Sequence, residues 1–222
     1  VSIPPKKERV HFPRLEVQWL GRMGYEEAYQ LQRSIHAQRL VDEIEDRMLL
    51  LEHPPVFTIP RRSKPENLLV GQDFVKTQGA ATHSTDRGGE ITFHDPGQLV
   101  GYPICRLEAR GRDLHSHLRW MESRLAEVAE RFGVPGTTRK GFAGLWVENR
   151  KIASIGIAVK RWTTLHGFAL NVNNDLSPFR WIRPCGLTGI EMTSLAKEAG
   201  HAISWRLLLE ETCNAFGGEW KE

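Results

Sequence analysis

Hydrophobic positions along the chain follow two different periods. From Leu114 to Phe132, apolar residues recur every three or four positions, at Leu114, Leu118, Met121, Leu125, Val128 and Phe132. That spacing lines one face of a helix. Asp113 is a good N-cap for it, and Gly133 a stop. "SLAKEAG" and "SWRLLLEETCNAF" predict two further helices near the C-terminus, the second running from Ser204 as N-cap to Gly217. Residues 24–55 also carry a helical period, through Ala28, Leu31, Ile35, Val41, Ile44 and Met48. They predict one long helix, stopped by His53-Pro54-Pro55.

Other stretches predict strands: "VFTIP", "EITFH", "QLVGYPICRL", "AGLWVE", "KIASIGIAVK" and "TTLHGFALNV". Asp95-Pro96-Gly97 separates the second from the third, and Asn149-Arg150 the fourth from the fifth, as turns do. Residues 61–81 read as loops with a short helix near Asp73. Strand hairpins between separated helices predict an α/β (α+β) fold: a mixed, largely antiparallel sheet with flanking helices. With no repeat and no linker, residues 1–222 are expected to be a single domain.

Composition excludes more than it selects. The chain is 40% hydrophobic and 26% charged, ordinary for a globular protein. It has no apolar run of about 18 residues, so no membrane span is expected. "VSIPPKKERVHF" lacks the apolar segment of a secretory signal, and a cytoplasmic location is expected. The net charge of +3 is spread along the chain without the dense basic block of a nucleic-acid binder. Arg61, Arg62 and Lys64 make a small basic cluster, either a solvated loop or a contact for an acidic protein. Three cysteines without a CxxC pair argue against a disulfide scaffold, and nine histidines without HExxH spacing argue against a metal site.

The cysteines differ in setting. Cys105 sits in an apolar strand and Cys213 on the apolar stripe of the last helix, both core positions. Cys185, in "WIRPCGL", lies on a turn between Pro184 and Gly186. It is either a small hydrophobe in a corner or an accessible thiol. Lys151 is the second anomaly. Strict alternation puts it on the face of Ala153, Ile155, Ile157 and Val159. An ordinary strand-end lysine snorkels to solvent, whereas a desolvated one has a lowered pKa and serves as a base. The other face carries Ser154 and Gly156; on the next strand Gly167 and Ala169 share a face. Small residues there fit either tight packing or a slot for an aliphatic chain. "RGGEITFHDPGQ" could offer a cation, backbone donors and a histidine to a polar ligand. No GxGxxG or GxxxxGK[ST] loop occurs, and no cofactor is expected.

Taken together, "RGGEITFHDPGQLVGYP", "GLWVENRKIASIGIAV", "HGFALNVNNDLSPF" and "PCGL" followed by "TSLAKE" resemble the lipoyl(octanoyl) transferase family in content, order and spacing. The resemblance runs from about residue 20 to about residue 205. It implies the α/β catalytic domain shared by biotin and lipoate protein ligases. It implies an acyl-thioester nucleophile at Cys185 and, at Lys151, the lysine that activates it. It assigns substrate binding to Arg87, Gly88, Gly89, Glu90, Ile91, Thr92, Phe93 and His94, to Ser154, Ile155 and Gly156, and to Gly167, Phe168 and Ala169. The implied reaction moves an octanoyl group from octanoyl-acyl carrier protein to a lysine on lipoyl domains of 2-oxoacid dehydrogenase complexes and glycine cleavage H protein. An ATP-dependent lipoate or biotin ligase and a non-catalytic carrier-binding protein are the alternatives. Asp95 departs from the family's His-Gly-Pro-Gly-Gln, placing a carboxylate next to His94.

Overall fold

Strand β1 (Leu15–Arg22) opens the main sheet, and helix α1 (Tyr25–Leu40) follows it across one face. The computed structural model describes residues 15–186 and 189–221, without the side chain of Cys185. The long helix expected over residues 24–55 is two elements. α1 stops at Leu40, Asp42 takes a left-handed φ of +57°, and β2 (Asp46–Glu52) begins four residues later. β2 sits inside the sheet between β1 and β6, so both its faces are buried. Met48 and Leu50 enter one core, Leu49 and Leu51 the other. A strand buried on both sides loses its polar alternation, and its apolar run "MLLL" then mimics the continuation of a helix. Asp46 fixes the start of this strand. Its buried carboxylate accepts from Arg39 Nε, Arg110 and the Arg106 backbone N–H.

β3 (Val56–Pro60) leads through a loop and α2 (Gln72–Thr77) into β4 (Ala81–Thr85) and β5 (Thr92–His94). These strands form a small sheet in the order β4-β3-β5. Then come β6 (Gln98–Ile104), α3 (Leu114–Arg131), β7 (Thr137–Arg139), β8 (Phe142–Val147), β9 (Arg150–Lys160) and β10 (Thr163–Asn171). The chain closes with β11 (Glu191–Met192), α4 (Leu195–Ala199), α5 (Trp205–Ala215) and β12 (Gly218–Trp220). The main sheet runs β12-β1-β2-β6-β10-β9-β8-β7, with β11 paired to β9. β1 pairs in parallel with β2 and β12, and β11 in parallel with β9; the remaining pairs are antiparallel. The sheet is therefore mixed and largely antiparallel, with helices on its faces.

α3 forms where the period predicts it. Asp113 accepts from the Ser116 backbone N–H, and Met121, Leu125 and Val128 are fully buried against the sheet and α5. A second core lies under α1, and a third holds Phe57, Phe93, Phe179 and Ile182 beneath the small sheet. The β8–β9 turn uses Glu148 and Asn149, one residue earlier than expected, with Glu148 at φ +51°. Among the described residues no helix is long and apolar enough to cross a membrane.

Candidate active site

A cavity of about 400 Å³ opens between the segment Arg87–Thr92, strands β9 and β10, and the start of α3. Lys151 is in its wall, only 3% exposed. It reaches that place by a break in strand alternation. β9 pairs Ala153 with Leu145 but Lys151 with Trp146, so β9 carries one extra residue at Ile152. Ile152 and Ala153 consequently both enter the main core. Lys151 falls on the side of Ser154 and Gly156, not on the apolar side that strict alternation predicts. Bulges re-aim side chains in this way. Lys151 Nζ donates to the Ala143 carbonyl at 3.0 Å and lies 5.3 Å from the centre of the Trp146 ring. Gly144 makes room for it: a Cβ there would stand 2.8 Å from Lys151 Cε and 2.2 Å from the Ala153 carbonyl oxygen.

The segment after β4 is tied down before it meets the cavity. Asp86 accepts from Tyr29 Oη of α1, His166 Nε2 of β10 and Lys160 of β9. The His166 hydrogen bond holds its carboxyl far below the usual carboxylate range, with Lys160 and Tyr29 acting in the same direction. Burial in turn lowers the pKa of His166. Arg87 then turns inward and donates to the Thr58 carbonyl and hydroxyl. Desolvation lowers its pKa to about 10, which leaves it a cation at neutral pH. Gly88 N–H donates to the Ile157 carbonyl of β9, and a Cβ on Gly156 would lie 2.6 Å from the Gly88 carbonyl oxygen. Gly167 is filled in the same manner, by the Gly101 carbonyl at 2.1 Å and the Pro103 ring at 2.6 Å. These two glycines let backbone segments approach closely, and both also line the cavity.

His94 ends β5 with both ring nitrogens engaged. Gln98 Nε2 donates to the Phe93 carbonyl and to Asn171 Oδ1, so its Oε1 accepts from His94 Nδ1–H at 2.8 Å. His94 Nε2 faces the Thr58 hydroxyl at 3.3 Å. Desolvation, with nearby His53 and Arg87 adding to it, holds its pKa well below the ordinary value. His94 is thus a neutral wall group. Asp95 does not line the cavity. Burial first, then Asp175 and Glu52, push its carboxyl up to about 6, while Arg22 opposes them.

Most of the sequence-predicted residues come together. Arg87, Gly88, Gly89, Glu90, Ile91, Thr92, His94, Lys151, Ser154, Ile155, Gly156, Gly167, Phe168 and Ala169 all line the cavity. Phe93 does not: alternation along β5 turns it into the small-sheet core against Phe57 and Phe179. The backbone of Cys185 belongs to a 3-10 turn at Pro184–Gly186, and Pro184 lines the cavity. The side chain of Cys185 lies outside the described residues. Sequence reasoning missed Tyr25, Tyr102, His166, Leu114 and Leu118 as wall residues. The one local signal among them is His166, a histidine in an apolar strand, held at φ +61°.

Two solved structures share the fold. Residues of this chain superpose on a bipartite lipoate protein ligase from Thermoplasma acidophilum with TM-score 0.67, covering 94% of this chain and 86% of that one at 14% identity. Biotin protein ligase from Aquifex aeolicus, solved with biotin and ATP, gives TM-score 0.55 over 91% of this chain and 68% of that one at 11% identity. The fold is therefore that of the lipoate and biotin protein ligase catalytic domains. At the level of sequence, an octanoyltransferase from Geobacter sulfurreducens is 46% identical over 83% of this chain and 76% of its own length. Another, from Caldicellulosiruptor saccharolyticus, is 41% identical over 92% of this chain and 88% of its own. The model of the lipoyl protein ligase A/B catalytic domain matches residues 24–217, and the chain belongs to that family.

Proposed function

We propose that this enzyme transfers an octanoyl group from octanoyl-acyl carrier protein to a specific lysine of lipoyl domains, through a thioester on Cys185. The observation that carries the reading is Lys151, a buried lysine turned by a bulge into the wall of a cavity that Pro184 also lines. Identity of 41–46% with curated octanoyltransferases supports the acyl group and the reaction class.

Lys151 Nζ, as a neutral amine, takes the thiol proton of Cys185. The thiolate attacks the octanoyl carbonyl carbon of the donor thioester. The bond from that carbon to the carrier sulfur breaks, and the carrier thiol leaves with the proton from Lys151. The acceptor lysine, as a free amine, then attacks the acyl-enzyme. An amide forms, Cys185 departs as a thiolate, and the proton lost by the amine passes to Lys151 and from it to sulfur. Exchange of one thioester for another is close to neutral, and thioester to amide is downhill, so the sequence needs no ATP. Arg87, Gly88 and Gly89 line the polar side of the cavity. Ile155, Phe168 and Leu118 offer apolar surface to the octyl chain, where each buried methylene contributes about 0.8 kcal/mol. Lipoyl domains of 2-oxoacid dehydrogenase complexes and glycine cleavage H protein are the proposed acceptors.

Intact-mass measurement after mixing with octanoyl-acyl carrier protein, without ATP, tests the reading. One octanoyl adduct on the wild type and none on Cys185→Ala is the expected result. An adduct that persists in Cys185→Ala, or none on the wild type, overturns it.

A further inference from the structure

The cations of this protein are unevenly neutralised. Arg39, Arg47, Arg106, Arg110, Arg112 and Arg150 each have a carboxylate oxygen within 4 Å. Arg61, Arg62 and Lys64 are exposed, lie within four residues of one another, and have no ion-pair partner among the described residues. The only carboxylate in that loop, Glu66, is exposed and leaves it net positive.

This loop is built onto the cavity. Ser63 Oγ donates to Glu90 Oε2 at 2.6 Å, and Asn67 Nδ2 donates to the same oxygen at 2.9 Å. Glu90 lines the cavity and lies beside Gly186, whose added Cβ would stand 3.6 Å from Glu90 Cγ and 3.7 Å from Asn67 Nδ2. The loop's continuation also runs along the segment that leads to Cys185. Leu68 bridges to Ile182, Leu69 N–H donates to the Trp181 carbonyl, and Arg183 N–H donates to the Asn67 carbonyl. Two apolar residues flank the contact: Leu69 is 48% exposed, and Phe74, 41% exposed, packs edge-on against Trp181. Unpaired cations beside exposed apolar side chains, at the rim of a cavity, make a surface suited to an acidic protein.

We propose that Arg61, Arg62 and Lys64 form the docking surface for an acidic donor protein whose thioester-bearing arm enters the cavity past Glu90. The inference rests on the transfer reaction proposed above. A donor that carries its acyl group on a long flexible arm can dock on a rim displaced from the nucleophile. An acceptor lysine has only its own side chain for reach and must bring its backbone closer. Charges this exposed act mainly on the rate of encounter, and their effect is screened by salt.

The test compares two octanoyl donors on the full chain: acyl carrier protein and a small neutral octanoyl thioester. The variant Arg61→Glu/Arg62→Glu/Lys64→Glu is expected to raise KM for the carrier-bound donor by about tenfold or more at low salt and to abolish its salt dependence. Its acylation by the small thioester is expected to match the wild type, which also shows that the variant is folded. The charge-conserving Arg61→Lys/Arg62→Lys/Lys64→Arg is expected to retain wild-type KM. An unchanged KM for the carrier, an equal loss with both donors, or a rise confined to the lipoyl-domain acceptor overturns the proposal. If the wild type forms no adduct with either donor, the transfer reaction itself fails. Direct binding of unacylated carrier then decides the docking surface, and equal binding by wild type and charge-reversed variant overturns it.

Discussion

Two parts of the molecule bury polar side chains in opposite ways. Around His94, donors and acceptors close on one another: Thr58, His94, Gln98, Asn171 and the Thr193 carbonyl form one chain of hydrogen bonds. Nearby His53 Nδ1–H donates to the Met23 carbonyl while Tyr102 Oη donates to its Nε2. These histidines are neutral, and their tautomers are set by their neighbours. Lys151 is buried by a different device, a strand bulge, and rests on a carbonyl and an aromatic ring. A carbonyl accepts from an amine in either charge state. The difference teaches that the histidine wall is closed on itself, whereas the bulge at Ile152 turns the Lys151 amine into the wall of the cavity.

The largest expected effect lies at that corner. Lys151→Met keeps an unbranched side chain beside Trp146 and removes the amine. Loss of a positioned base typically costs 10²–10⁴-fold, so octanoyl adduct formation on Cys185 is expected to slow by about 100-fold or more while the thermal midpoint stays close to wild type. Lys151→Arg is not expected to restore the rate, because a guanidinium does not give up its proton near neutral pH. Stopped-time mass measurement reads both. Wild-type rates for Lys151→Met at neutral pH would remove the contrast between the two regions.

A smaller effect separates two buried histidines by their partners. Burial pushes the pKa of His53 down to about 4 and that of His117 down to about 3. Both folded values lie below the ordinary 6.5. Their contribution to stability is thus fully present above about pH 6.5 and is lost as pH falls toward the folded values. For His53 the shift sets an upper scale of about 3 kcal/mol. His53 has both ring nitrogens bonded, whereas neither nitrogen of His117 has a hydrogen-bond partner among the described residues. His117→Phe is expected to flatten the acid loss between pH 6.5 and 4 with little cost at pH 7.5. His53→Phe leaves the Met23 carbonyl and the Tyr102 hydroxyl unsatisfied and is expected to cost about 1–3 kcal/mol at pH 7.5. Denaturant titrations at several pH values measure this; equal behaviour of the two variants would contradict the assignment.

Much of the site was legible because its residues violate local pattern. A lysine in an apolar strand and glycines inside strands each called for a reason. Helix α3 was legible through its stripe and its Asp113 cap. What escaped was set by tertiary context. The helix-to-strand change after Leu40 hides in a run buried on both faces. The side on which Lys151 lies depends on one extra residue at Ile152, which alternation cannot reveal. Gly156 and Gly167 fit either tight packing or a slot by sequence, and only the fold shows that Gly88 and Gly101 of distant segments approach them closely. Nothing in the sequence brings Tyr25 and Tyr102 to His94 and the cavity. The charged neighbours of Asp95, Asp175, Glu52 and Arg22, likewise come from distant segments.

The central claim is that Cys185 carries the octanoyl group between two proteins. Octanoyl-enzyme freed of donor, then mixed with a lipoyl domain in the absence of ATP, tests it in a single turnover. The predicted result is that the enzyme returns to its unmodified mass as one octanoyl amide appears on the acceptor lysine, in equal amounts. An octanoyl-enzyme that persists beside the acceptor, or that only hydrolyses, would contradict it.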